Sequence, residues 1–224
     1  GRAALSVRGL GVTQAVAGYP ALPAVAEELC SIVHGPIDGM AAPSDGCNGA
    51  LRGAGYADAA FTEQRLTTLL GPTRDFSVLH LGTHFSLRPG NALRSFLVLG
   101  DGTKLTLDRL GALDFGGIEL LTLSACQTGA GGAVSEDGRE VEGLSALVQR
   151  RGARRVVASL WQVEDTSTAR LMRAMYRALD GTASDVPRAL QKAQLGLRSF
   201  QEGGARPYAH PYYWAGFVVS GSAP

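Results

Sequence analysis

The sequence predicts an α/β fold in which a mostly parallel central sheet is flanked by helices. Three observations carry that reading. Short, largely apolar runs recur at residues 76–81, 118–123 and 155–160, the pattern of strands buried on both faces. Strand and helix alternate through most of the chain, and helices between apolar strands imply crossovers and a largely parallel sheet. Glycine is abundant (30 residues) and charged residues make up only 18%. That composition suits a compact α/β domain better than a coiled coil or a disordered tail.

The elements follow in order. Residues 4–9 are read as a first strand. Residues 24–33 form a helix with Val25, Leu29, Ile32 and Val33 on one face. Residues 34–55 are dense in Gly and Pro, which disfavours both helix and strand and reads as flexible punctuation. Thr62 is a good N-cap for a helix that Gly71-Pro72 stops. Residues 76–81 are a buried strand. Residues 96–99 and 104–107 flank the turn Gly100-Asp101-Gly102-Thr103 and read as a hairpin. Residues 118–123 are a strand, 129–138 a second glycine-rich polar stretch, 141–151 a helix and 155–160 a strand. Residues 166–179 and 185–200 are amphipathic helices, the first burying Leu171, Met175 and Leu179. Residues 214–220 are a final strand. No internal repeat is visible.

A chain of 224 residues is long enough to bury a substantial core as one domain, here read as residues 1–224. Its 21 Lys and Arg against 20 Asp and Glu leave a formal net charge of +1. The basic excess of a nucleic-acid binder is missing, so no nucleic-acid partner is expected. No apolar run approaches the roughly 20 residues needed to span a bilayer, so no membrane association is expected. The opening Gly1-Arg2-Ala3 has neither an initiator Met nor a signal pattern, and is read as the boundary of a fragment of a longer protein. The cysteines are Cys30, Cys47 and Cys126. They form no CxxC pair, and an odd number argues against a disulfide framework, so a reducing, cytoplasmic setting is expected. Cys30 is read as helix core and Cys47 as an incidental loop residue.

In mostly parallel sheets, chemistry gathers at the carboxyl ends of the strands. Two such ends stand out. One is Leu79-His80-Leu81-Gly82-Thr83-His84-Phe85, and the other is Leu121-Thr122-Leu123-Ser124-Ala125-Cys126-Gln127. A histidine and a cysteine brought to one sheet edge suit thiol nucleophilic catalysis, with the imidazole favouring the thiolate. The plainer alternatives are a cysteine acting as a small core hydrophobe and a histidine acting as a satisfied polar residue. His80 and His84 lack a third ligand, so no metal site is expected.

The wording of these segments resembles the CHAT domain family, which belongs to the caspase and separase clan of cysteine peptidases. The resemblance runs in order through Glu142-Gly143-Leu144, Arg155-Val156-Val157-Ala158-Ser159-Leu160-Trp161, Ala189-Leu190-Gln191-Lys192 and His210-Pro211-Tyr212-Tyr213-Trp214. It implies a caspase-like α/β sandwich. It implies Cys126 as nucleophile and His84 as the proton-transfer partner. The backbone N–H groups of Phe85 and Cys126 would form the oxyanion hole. Many clan members have glycine where this chain has Phe85. If that position required positive φ, phenylalanine would be strained there.

The resemblance also bears on substrate. In the separase branch an acidic residue after Leu-Trp receives a basic P1 side chain. Asp165 is the first candidate here and Glu164 the second, with Trp161 as a pocket wall. Against this, Asp165 is a natural N-cap for the helix at Thr166, and Trp161 suits plain core. In caspases the linker after the nucleophile is remodelled or cut, and Arg139 would be the bond to inspect here. CHAT domains commonly form the effector of longer proteins. The implied partners are therefore a peptide or protein substrate and a sensor or repeat region, in the same longer chain or a neighbouring protein, within a bacterial stress or defence system. The alternative is a non-catalytic interaction scaffold. Gly9-Leu10-Gly11 lacks the third glycine of a dinucleotide loop, and Gly129-Ala130-Gly131-Gly132 lacks the Lys-Ser or Lys-Thr of a P-loop. No cofactor is expected.

Overall fold

Val7 and Leu10 are fully buried in β1 (Val7–Gly11), which also carries Gly9 and Gly11 and lies inside the sheet between the strands Val78–Gly82 and Leu51–Ala57. A Cβ on Gly9 would lie 2.9 Å from Leu29, and one on Gly11 would lie 2.6 Å from Val25. The glycines thus let α1 (Pro23–Ile32) lie close against the sheet. The computed structural model of the chain describes residues 4–40, 46–86, 91, 93–124, 126–127, 139–179 and 185–221.

After α1 come β2 (Val33–Gly35), β3 (Ile37–Asp38), β4 (Cys47–Asn48) and β5 (Leu51–Ala57). Helix α2 (Glu63–Leu69) leads to β6 (Val78–Gly82), β7 (His84–Ser86), β8 (Phe96–Val98) and β9 (Lys104–Thr106). The short α3 (Leu107–Leu110) precedes β10 (Leu120–Leu123) and β11 (Cys126–Gln127). The chain ends through α4 (Arg139–Arg150), β12 (Arg155–Ser159), α5 (Asp165–Ala178), α6 (Val186–Ser199) and β13 (Phe217–Gly221).

The main sheet runs β13-β12-β10-β6-β1-β5-β2-β4, with β3 also paired to β5. The pairs from β12 through β2 are parallel, and β13 and β4 add antiparallel edges. Alternate strand residues feed two cores. Val7, Val78, Leu120 and Val157 pack with residues of α1, α5 and α6, while Leu10, Leu79, Leu121 and Val156 pack with residues of α2, α3 and α4. This is the α/β arrangement with helices on both faces that the alternation of elements predicts. Among the described residues, no helix is long and apolar enough to cross a membrane.

Two expectations need correction. Residues 34–55, read as punctuation, hold four strands or parts of strands, and β5 sits beside β1. Its glycines answer to close approach: a Cβ on Gly53 would lie 1.9 Å from the carbonyl oxygen of Val7. The cysteine reading also fails. Cys30 and Cys47 form a disulfide across 17 positions, because β4 returns beside the end of α1. The inference of a reducing compartment from unpaired cysteines loses its ground. Smaller shifts occur at element ends. The predicted first strand starts at Val7. The last starts at Phe217, because Pro211–Tyr213 forms a 3-10 turn with Tyr212 N–H donating to His210 Nδ1 at 3.2 Å. The turn helix α3 was not expected.

Candidate active site

The two strand ends singled out in the sequence leave the main sheet together. After β6, Thr83 turns the chain and donates its hydroxyl to the carbonyl of Val98. After β10, the N–H of Ser124 donates to the carbonyl of Leu81 and holds the second strand end beside the first. Both then enter a separate four-stranded sheet, β11-β7-β8-β9. There β11 pairs in parallel with β7, in the register Cys126 to His84 and Gln127 to Phe85. Two residues 42 positions apart in sequence thus become direct strand neighbours.

His84 is fully buried. Its Nε2 lies 2.8 Å from the carbonyl oxygen of Pro20, and its ring lies 5.1 Å from that of Tyr19. A carbonyl only accepts, so Nε2 carries the proton, and the lone pair of the neutral ring sits on Nδ1. Burial pushes the imidazole below its ordinary value of 6.5, and the hydrogen bond to Pro20 opposes this with a smaller effect. The ring is therefore neutral at physiological pH and able to accept a proton. Tyr19 and Pro20 were not foreseen, since nothing in a surface-loop sequence announces which buried ring it will cover.

Phe85 follows in β7 and packs into the core with Leu97, its register partner on β8. Among the described residues, the non-glycine positions with positive φ are Ala17 and Asp58. Phe85 is not one of them, so the strain considered for it does not arise.

Asp165 and Glu164 have roles different from those expected locally. The N-cap of α5 is Glu164, whose carboxylate accepts the N–H of Ser167 at 2.7 Å. Asp165 is the first helical residue, and its Oδ2 accepts the N–H of Ala24 at 2.9 Å. Leu22, the N-cap of α1, offers no side-chain acceptor, so Asp165 supplies one from across the fold. Burial raises the carboxyl of Asp165 above its ordinary value. The bond from Ala24 opposes this, and the negative charges of Glu28 and Glu164 add to the rise. Residues 20–24 thus touch both the candidate histidine and the candidate acid. Trp161 donates its indole N–H to Tyr212 O at 3.0 Å and sits over Gly216, where a Cβ would lie 2.9 Å from the ring. The linker at 128–138 lies outside the described residues, and Arg139 opens α4.

A mostly parallel sheet with helices on both faces, whose His and Cys strand ends pair in register, defines an α/β domain with those two residues on neighbouring strands. The sequence matches the CHAT domain over residues 8–222, and the chain belongs to that family, one of caspase-like cysteine peptidases. Comparison with curated proteins returned no match. Among solved structures, the crystal structure of the Arg-specific cysteine proteinase gingipain R (RGPB) is similar, with a TM-score of 0.48 and 9% identity. The match covers 96% of this chain and 46% of that one, so the chain spans about half the length of that proteinase.

Proposed function

We propose that the chain is a cysteine endopeptidase in which Cys126 is the nucleophile and His84 moves the protons. The observation that carries this reading is the strand register of Cys126 with His84. The thiol proton passes to Nδ1 of His84 as sulfur attacks the peptide carbonyl carbon. The backbone N–H groups of Phe85 and Cys126 hold the oxyanion. The C–N bond then breaks, His84 returns the proton to the leaving amine, and a thioester remains. Water adds to the thioester carbonyl and gives its proton to His84. When the C–S bond breaks, that proton returns to sulfur, releasing a carboxylic acid and the free thiol.

Asp165 receives a basic P1 side chain in this reading. Its support is electrostatic: Glu28 and Glu164 add negative charge beside a half-buried carboxylate, and such a site favours a cation. Glu164, occupied as a helix cap, and Trp161, held by Tyr212, frame that position. Family membership supports a wider role as the protease effector of a sensor-linked bacterial stress or defence system, with a sensor or repeat region as partner.

The test is cleavage of a peptide library by the full chain beside Cys126→Ala and His84→Ala. Cleavage after Arg or Lys, lost in both variants, is expected. Cleavage that survives Cys126→Ala would overturn the reading.

A further inference from the structure

Beneath the two strand ends lies a buried polar cluster that the chemistry above does not use. His80 on β6 and Thr122 on β10 are register partners in the main sheet. Glu28 of α1 and Tyr176 of α5 meet them, and Ser124 closes the group. All five are at most 4% exposed. His80 Nε2 lies 2.9 Å from Glu28 Oε1 and 3.3 Å from Ser124 Oγ. His80 Nδ1 lies 3.2 Å from the hydroxyl of Tyr176, which donates to Thr122 Oγ1 at 2.9 Å.

Tyr176 has one proton to share between Thr122 and Nδ1, and its hydroxyl links the two. A bare Nε2 at 2.9 Å from a carboxylate would set lone pair against lone pair, so a proton lies between Glu28 and His80. Neither carboxylate oxygen of Glu28 makes a well-aligned hydrogen bond among the described residues, so His80 is its main compensation. An apolar set of similar shape would fill this layer without desolvating a carboxylate. Stability alone is therefore a poor account of the cluster.

Its placement offers a better one. His80 is four residues before His84 on the same chain segment. Ser124 is two residues before Cys126, and its N–H donates to Leu81 O at 2.9 Å. Gly82 leaves just enough room, since a Cβ there would lie 3.0 Å from Val25 and 3.4 Å from Ser124 Oγ. We propose that Glu28 and His80 are positioning residues, whose buried pair, linked to Ser124, fixes the strand end leading to Cys126 against the one leading to His84. This rests on the thiol–imidazole reading above.

The experiment is the alkylation rate of Cys126 by iodoacetamide in the full chain at pH 7, well below the melting temperature. Cys30 and Cys47 are paired, so Cys126 is the remaining thiol. His84→Ala sets the scale for loss of the imidazole. Glu28→Gln and Ser124→Ala are each expected to slow labelling at least fivefold. The double variant is expected to be no slower than the slower single, as for one connected unit. Leu29→Ala, a core truncation on the same helix away from the cluster, is expected to label at the parent rate despite a lower melting temperature. Parent-like rates in Glu28→Gln and Ser124→Ala would overturn the proposal. So would multiplying effects in the double variant, or equal slowing in Leu29→Ala. If Glu28→Gln does not fold, Ser124→Ala decides alone. If His84→Ala labels like the parent, the thiol–imidazole reading itself fails and takes the positioning role with it. If His84→Ala alone slows, only the positioning role fails.

Discussion

Asp165 accepts the backbone N–H of Ala24 across 141 positions of sequence, at 2.9 Å, and so joins the first turn of α5 to the first turn of α1. The same carboxylate is the candidate for receiving a basic substrate side chain. The two demands differ, because capping needs only an acceptor whereas cation binding needs the charge.

Asp165→Asn separates them. The folded carboxyl titrates above its ordinary value of 3.8. Its contribution to stability is therefore full below that ordinary value and is lost as pH rises through the folded value. At neutral pH the ionised form opposes folding. Asp165→Asn keeps an acceptor for Ala24 and is expected to raise the melting temperature at pH 7 but not at pH 3. Cleavage after Arg or Lys is expected to fall about 10- to 100-fold in kcat/KM, the scale of a hydrogen bond to a charged group. Thermal melts at two pH values and peptide kinetics check both parts.

In the proposed mechanism His84 sets the acid limb of activity. Its folded value lies below 6.5 because the ring is buried. The kcat/KM profile, which reports the free enzyme, is expected to fall on the acid side with a midpoint below 6.5. A midpoint at or above 6.5 would contradict this. The sign for stability is the same as for other depressed groups. The unfolded chain takes up the proton first, so the contribution present above the ordinary value is lost as pH falls through the folded one.

The Cys30–Cys47 bridge closes a loop of 17 positions between α1 and β4. On chain entropy such a loop contributes about 3 kcal/mol. Cys30→Ser/Cys47→Ser is expected to lose an amount of this order in urea unfolding, and dithiothreitol is expected to reproduce the loss in the parent chain. An unchanged midpoint in both would show that the bridge adds no stability.

Gly53→Ala is expected to destabilise the chain by about 3 kcal/mol or more. The added Cβ would lie 1.9 Å from Val7 O, a contact that β1 and β5 can relieve only by separating. Chemical denaturation checks it. Gly18→Ala, where a Cβ meets nothing within 4 Å, controls for crowding, although its positive φ carries a cost of its own.

The elements legible in the sequence were those whose cause is local. Leu79, Leu81, Leu121 and Val157 announce strands because both faces of the main sheet are covered. Thr62 announces a helix start because its side chain accepts the N–H of Arg65, three residues on. What stayed hidden depends on distant partners. Gly53 and Gly55 look like loop glycines until Val7 and Ile37 lie against them. Cys30 and Cys47 look unrelated until β4 returns beside α1. The acceptor for Ala24 could not be found within α1, since it comes from α5. The two strand ends were visible, but their entry into a second sheet was not, because β7 and β11 are only three and two residues long.

That second sheet has a mechanical consequence. His84 and Cys126 ride on that same small sheet, and its β8–β9 hairpin buries Leu97 and Leu105 in the core shared with Leu79 and Leu121 of the main sheet. Asp165 belongs to the main body. A shift of the small sheet would carry both strand ends together while changing their distance from Asp165, and it would have to disturb that shared core.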